Sequence, residues 1–273
     1  MFSRGYSRRG GGCSGRLIIA ALFAISSLVM YFSSRQDNPV TGESQYVSIT
    51  PEQEIVLGLQ AAPEMADQFG GLDPSQSDQN RIDQVGFNVV NNSPAARSPY
   101  QFDFHLLGDD QTINAFALPG GQIFITRALY DQLQTEGQLA GVLGHEVGHV
   151  VGRHSAEQIA KARLTEGLTG AAVIAAYDPE NPSSAQVAQM AVLIGQLINL
   201  RYGREDELES DFLGVCFLSN AGYDPSELIQ VMEILASTRQ GPEPPEFFST
   251  HPNPGNRIQR IQEAIQNLDS CPQ

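Results

Sequence analysis

Apolar positions along the chain fall into one long uncharged run, one alternating stretch and a series of segments with helical spacing. The run is residues 17–34, Leu-Ile-Ile-Ala-Ala-Leu-Phe-Ala-Ile-Ser-Ser-Leu-Val-Met-Tyr-Phe-Ser-Ser. Its length is near the lower limit for crossing a bilayer. From Gln101 to Leu107, Phe102, Phe104 and Leu106 alternate with Gln101, Asp103 and His105, the period of a half-buried strand. His105 is therefore expected to be a strand residue rather than a ligand. Two short apolar runs, Ile113–Leu118 and Gln122–Thr126, flank Pro119-Gly120-Gly121 and predict a hairpin or tight strand connection.

From residue 127 onward the pattern is helical, with segments near 135–163, 184–200, 203–220, 225–238 and 254–268. Upstream, Thr50-Pro51-Glu52-Gln53 offers an N-cap, a proline at the first helical position and a capping-box glutamine. Another helix is expected over 78–92. Asp224-Pro225-Ser226-Glu227 gives a further helix start after the Gly222 stop. Ile258, Ile261, Ile265 and Leu268 are the expected buried stripe of the last helix. The apolar run Leu168–Tyr177 is too short to span a membrane and reads as a core helix or a membrane-proximal plug, core being the preferred reading.

Charge changes this picture at the N-terminus. Residues 1–35 hold five arginines and no acid, while the chain as a whole carries −15, so the remainder is strongly acidic with Lys161 its only lysine. Such a body should avoid nucleic acid and anionic membrane surfaces, and its acidity reads as a solvated surface. Arginines before the apolar run predict a cytoplasmic N-terminus and an exported body. A cleaved signal peptide is the alternative; the run ends in Met30-Tyr31-Phe32 without a small-x-small site, which favours an uncleaved anchor. The expected organisation is a basic N-terminus at 1–16, a transmembrane signal anchor at 17–34, a linker at 35–49, a domain at 50–268 and a tail at 269–273. If the body is exported, Cys216 and Cys271 could pair; otherwise Cys216 is a buried helix residue and Cys271 a free thiol in the tail.

The chemistry is concentrated in Gly144-His145-Glu146-Val147-Gly148-His149. Two histidines four apart on a helix are separated by about 40° of rotation and about 6 Å of rise. His145 and His149 can thus hold one zinc ion, and Glu146 can take a proton from the attacking water. Such a site needs a third protein donor. Arg204-Glu205-Asp206-Glu207-Leu208-Glu209-Ser210-Asp211 supplies candidates. Glu207 and Asp211 share a helical face, which suits a ligand and a residue orienting a ligand histidine; composition alone does not choose Glu207 over Glu205 or Glu209. His154 is about 140° from His149 on a continuous helix and reads as structural. Gly141, Gly144, Gly148 and Gly152 form a side-chain-free stripe, which predicts close approach of another backbone, either the strand layer or the helix carrying the third ligand.

These motifs, with Asn114-Ala115-Phe116-Ala117-Leu118-Pro119-Gly120-Gly121, Arg153-His154, Ala221-Gly222-Tyr223-Asp224-Pro225, His251-Pro252 and Arg257-Ile258, resemble the CAAX prenyl endopeptidase/HtpX/BepA-type zinc metallopeptidases, which are gluzincins. The chain departs from the common pattern at Gly203, where serine is frequent, and at Ser210, where alanine is. The resemblance implies an α+β fold, a mostly helical gluzincin domain with a small β-sheet beside the active-site helix, here preceded by one transmembrane helix. It implies one Zn²⁺ per chain with Glu207 as third ligand, Asp211 supporting a ligand histidine, and Asn114 and Ala115 lining the substrate cleft. The imidazole of His251 could stabilise the tetrahedral oxyanion; the resemblance implies that its loop covers the zinc as a fourth ligand, and the plain alternative is a loop histidine capping the last helix. The multiple membrane helices of the prenyl-protease and HtpX branches are absent, which disfavours prenylated substrates.

The resulting expectation is a single-pass zinc metalloendopeptidase of the bacterial inner membrane, with its domain on the periplasmic side, hydrolysing unfolded or misfolded polypeptides. The alternative is a zinc-bound chaperone or holdase whose proteolysis is shut off by the His251 loop. A purely structural zinc domain is a weaker third reading.

Overall fold

The computed structural model describes residues 12–176, 202–238, 246–252 and 255–272. The helix expected near 184–200 lies outside these residues. A three-stranded sheet is made of β3 (Asp103–Leu107), β4 (Ala115–Ala117) and β5 (Gln122–Thr126), in the order β3-β5-β4. β3 runs parallel to β5, and β4 antiparallel to it, with Ala115, Phe116 and Ala117 opposite Ile125, Phe124 and Ile123. The alternating pattern of β3 thus marks a strand, and the Pro-Gly-Gly turn a hairpin. His105 is half-buried, with Nε2 2.8 Å from Gln122 Oε1, and is not a member of the metal-ligating cluster.

The central strand β5 is buried along its whole length, so helices cover both faces of the sheet. On one face α3 (Gln76–Asn91), α5 (Glu136–Val151), α7 (Arg204–Asn220), α8 (Glu227–Ser237) and α10 (Arg257–Gln266) build the larger core. On the other, α2 (Pro51–Gln68) and the start of α6 (His154–Ala176) pack on Phe116, Leu118 and Phe124. Each fully buried leucine, isoleucine or valine here is worth about 1.5–3 kcal/mol against exposure. The capping box at the start of α2 forms, with Thr50 N–H donating to Gln53 Oε1 at 2.9 Å. Gly120 has φ of +82°, and a Cβ there would meet the Ile55 backbone at 2.4 Å, so only glycine lets α2 rest on the hairpin turn.

α5 is buried from Gln138 to Val151, a helix enclosed on all sides. Its glycine stripe is where α7 and α8 approach. A Cβ on Gly148 would meet Ser210 O at 3.0 Å and Ser210 Cα at 3.1 Å, and one on Gly141 would meet Leu228 Cα at 3.4 Å. The close neighbour at the histidines is therefore the helix carrying the acidic cluster, not the sheet.

Several expectations change. The segment expected as helix over 135–163 is broken at Gly152-Arg153, where Arg153 has φ of +58°. That left-handed conformation is held by buried contacts of its guanidinium with Glu54 and with Ile49 O. Residues 35–49, expected as a linker, include an antiparallel hairpin of β1 (Arg35–Asp37) and β2 (Ser44–Tyr46). Asn38 Nδ2 donates to Val151 O at 2.7 Å and Gln45 to Gly152 O, which satisfies carbonyls at the end of α5. The apolar run from Leu168 continues α6, which packs alongside α1 (Gly12–Ser33), with Leu168 39% exposed and Ala171 buried; Tyr177 lies outside the described residues. Ile258 is 39% exposed and lies off the buried stripe of α10, where Arg257 is buried in its place. α1 covers most of the run expected as an anchor; among the described residues no helix is long and apolar enough to cross a membrane. Cys216 and Cys271 form a disulfide, tying the end of the chain to α7.

Candidate metal centre

α5 presents His145 and His149 one turn apart, and α7 crosses the glycine stripe to bring Glu207 beside them. His251 enters from the end of α9 (Phe247–Thr250), its ring stacked on Phe247. All four side chains are buried, and they can each offer one ligand atom within a 4.8 Å sphere of mutual distances. Nε2 of His145 lies 3.1 Å from Nε2 of His149 and 3.4 Å from Nδ1 of His251. Glu207 Oε1 lies 3.5 Å from His149 Nε2 and 3.1 Å from His251 Nδ1. Ligand bonds of about 2.0–2.1 Å in a tetrahedron require donors about 3.3 Å apart, and these four distances of 3.1–3.5 Å are close to that, within a set whose donors all lie within 4.8 Å of one another.

The polar neighbours of each ring set which nitrogen faces inward. His145 Nδ1 is 3.0 Å from Asp211 Oδ1, which leaves Nε2 free to ligate. His251 Nε2 is 3.2 Å from Ala115 O, an acceptor only, so Nε2 carries the proton and Nδ1 turns its lone pair to the cluster. His149 Nδ1 is 2.9 Å from His154 Nδ1, and His154 Nε2 is 3.3 Å from Glu209 Oε2. A single chain of donation from His149 to His154 to Glu209 Oε2 satisfies both rings and frees His149 Nε2. The sequence signal for this pair was obscured by the break at Arg153, which turns His154 back toward the site; the rotation expected on a continuous helix does not apply.

Arg257 closes the acidic side. Its Nε and Nη2 donate to Asp211 at 2.7 Å each, and Nη1 lies 2.9 Å from Glu207 Oε2. Glu207 is thereby held with one oxygen on the guanidinium and the other toward the histidines. Burial opposes ionisation of Glu207, but His251 and Arg257 outweigh it and hold its carboxyl well below the usual range. Asp211 is likewise lowered by Arg257 against its burial. Burial pushes His149 well below the ordinary imidazole value, keeping it neutral and able to ligate. His145 is opposed by burial yet lifted to about 9 by Asp211 and Glu207.

Glu146 stands apart from these pairings. It is wholly buried and neither carboxylate oxygen has a hydrogen-bond partner, the nearest histidine nitrogen being His251 Nε2 at 3.6 Å. Burial raises its pKa. A carboxylate left unpaired at this depth is costly unless its partner is a ligand or water of the site.

Of the expected cleft residues, Asn114 has its backbone N–H and C=O committed to Thr126 at 3.1 and 3.0 Å, while Ala115 directs its carbonyl away from the sheet. Tyr202, which sequence reasoning did not single out, stacks on His149 with ring centroids 3.8 Å apart.

An H-E-x-x-H helix joined by a glutamate from a later helix, beside a small mixed sheet, defines a metallopeptidase of the gluzincin type. The chain belongs to peptidase family M48, whose model matches residues 76–265. It is 34% identical over 188 residues to the beta-barrel assembly-enhancing protease of Escherichia coli (strain K12), covering 65% of this chain and 37% of that protein. It is 29% identical over 238 residues to the mitochondrial metalloendopeptidase OMA1 of Schizosaccharomyces pombe, covering 86% of this chain and 68% of the relative. Against the human mitochondrial metalloendopeptidase OMA1 the values are 28% over 254 residues, 89% and 48%. The chain thus spans little more than a third of the bacterial relative.

Proposed function

We propose that the chain is a membrane-anchored zinc endopeptidase that hydrolyses unfolded or misfolded exported polypeptides, with zinc held by His145, His149 and Glu207. The observation that carries the reading is the unpaired Glu146 carboxylate beside a buried set of His145, His149, Glu207 and His251 that can hold a metal ion. Zinc held by these residues would lower the pKa of the attacking water and polarise the scissile carbonyl. Glu146 takes the proton of that water and passes it to the leaving amine, a role suited to a carboxylate whose pKa is raised by burial. Asp211, His154 and Arg257 keep the ligands oriented. The outer edge of β4 offers backbone groups to an extended peptide, a mode that suits unfolded chains of varied sequence.

Anchoring is supported by α1, whose Leu17, Ile18, Ile19, Leu22, Val29 and Phe32 are all exposed on a helix set beside α6. The Cys216–Cys271 disulfide fits an oxidising, extracytoplasmic compartment. Zinc content together with cleavage of unfolded casein by wild type and Glu146→Gln tests the reading; zinc-replete protein with equal activity in both forms would refute it. A second reading, a holdase with a shut site, is favoured by one observation: His251 offers a fourth donor beside the other three, where a catalytic site keeps a position for water. Suppression of aggregation without cleavage by wild type and His251→Ala alike would select it.

A further inference from the structure

β4 is an edge strand whose outer backbone groups have a fixed register. Asn114 O accepts from Thr126 N at 3.0 Å and Leu118 N donates to Gln122 O at 2.8 Å, so the even-numbered residues face β5. Ala115 and Ala117 therefore direct their backbone groups away from the sheet, where an added strand would pair. Both outward carbonyls are already occupied. His251 Nε2 holds Ala115 O at 3.2 Å, and the Tyr202 hydroxyl donates to Ala117 O at 3.2 Å. Ser155 Oγ lies 3.3 Å from the same hydroxyl, and the His149 ring lies flat against the tyrosine. The two covering segments are joined, because Tyr202 N–H donates to Thr250 O at 3.2 Å, one residue before His251.

We propose that Tyr202 is a second closing residue of the site: its hydroxyl occupies the acceptor at Ala117 that an extended polypeptide must reach, and it acts together with His251 at Ala115. The inference rests on the reading of β4 as the docking edge. Entry of a peptide then requires both side chains to leave, and the Tyr202–Thr250 bond makes withdrawal of one favour withdrawal of the other. The tyrosine touches no reacting atom in this role; it competes with substrate backbone for one carbonyl.

Zinc-loaded Glu146→Gln protein, alone and combined with Tyr202→Phe, is titrated into a fluorescein-labelled β-casein peptide and followed by anisotropy. Tyr202→Phe keeps the ring on His149 and removes only the hydroxyl. The peptide is expected to bind about twofold to tenfold tighter, the weight of one neutral hydrogen bond. The same peptide with alternate backbone amides N-methylated is expected to gain nothing. Equal affinity for both proteins, or weaker binding to the phenylalanine variant, overturns the inference. If the phenylalanine variant does not fold, Ser155→Ala, which removes the hydroxyl group 3.3 Å from the Tyr202 hydroxyl, is compared instead, with tighter peptide binding expected and unchanged binding overturning the inference. Absence of peptide binding to every variant removes the docking edge itself, and the inference with it. Casein cleavage by wild type with no change in peptide affinity or KM on Tyr202→Phe leaves the peptidase reading standing and removes this one.

Discussion

Nδ1 of His154 lies 2.9 Å from Nδ1 of His149, across a helix break that the residue between them makes possible. Ligand histidines are commonly held by a hydrogen bond from the ring nitrogen that does not bind metal, and here another histidine provides it. His154→Ala is expected to weaken zinc binding about 10- to 100-fold while leaving the fold in place. Competition with a fluorescent chelator measures this; unchanged zinc affinity would make His154 a packing residue only.

Arg257 is the one arginine among the described residues that contacts both Glu207 and Asp211, and His145 touches the same two carboxylates. Its removal leaves buried Asp211 without its main compensation and Glu207 with His251 but no guanidinium, and breaking such a pair typically costs about 3–5 kcal/mol. Arg257→Leu is therefore expected to destabilise zinc-free protein by that order. Arg257→Lys should restore little, because an ammonium cannot form the two-pronged contact with Asp211. Urea denaturation of the three proteins decides it.

Much of the chemistry was legible from the chain because the H-E-x-x-H spacing depends only on helical geometry, and α5 is a regular helix there. Glu207 and Asp211 were legible as a pair for the same reason, though the choice of Glu207 came from resemblance. His154, Glu209, Tyr202 and Arg257 acquired their roles only in the fold. His154 and Glu209 meet because Arg153 adopts a left-handed conformation stabilised by Glu54, a residue 99 positions away in sequence. Residues 35–49 looked like a tether because their polar side chains, notably Asn38 and Gln45, are spent on carbonyls at the end of α5 rather than on water. Periodicity cannot show such partners.

The glycine stripe yields a sharper expectation than it did from sequence. At Gly148 an added methyl would meet backbone atoms of Ser210 at 3.0 and 3.1 Å, which cannot swing aside as a side-chain end can. Gly148→Ala is expected to push α7 outward, costing about 1–3 kcal/mol and displacing Glu207 from the histidines. Lower thermal stability together with weaker zinc binding is the expected pair of results. Stability lost without any effect on zinc would separate packing from ligation.

The disulfide joins residues 55 apart, a loop whose closure is worth up to about 4 kcal/mol by restricting the unfolded chain. Cys216→Ser with Cys271→Ser is expected to lower stability by at most this amount. Denaturation of oxidised wild type, reduced wild type and the double variant checks it, with the last two expected to coincide. A wild type indifferent to reductant would show that the native packing around α7 and α10 suffices.

The pH dependence turns on Glu146. A general base must be ionised, and burial without a hydrogen-bond partner raises this carboxyl above the ordinary glutamate value of about 4.3. Activity on unfolded casein is expected to rise with pH through that raised value, so its acid limb should lie above that of an exposed glutamate. Stability of the zinc-free protein follows the opposite course for this group. Because the folded pKa is raised, its contribution is full below the unfolded pKa and is lost as pH rises through the folded one. Glu207 and Asp211, both depressed, contribute stability above their unfolded values that is lost as pH falls through the folded ones. Glu146→Gln removes only the first term. The zinc-free variant should match wild type at low pH and become the more stable of the two as pH rises, measured by urea denaturation across the range. Parallel stability curves for the two proteins would mean that Glu146 titrates like a solvated carboxylate, and would remove the ground for its shifted acid limb.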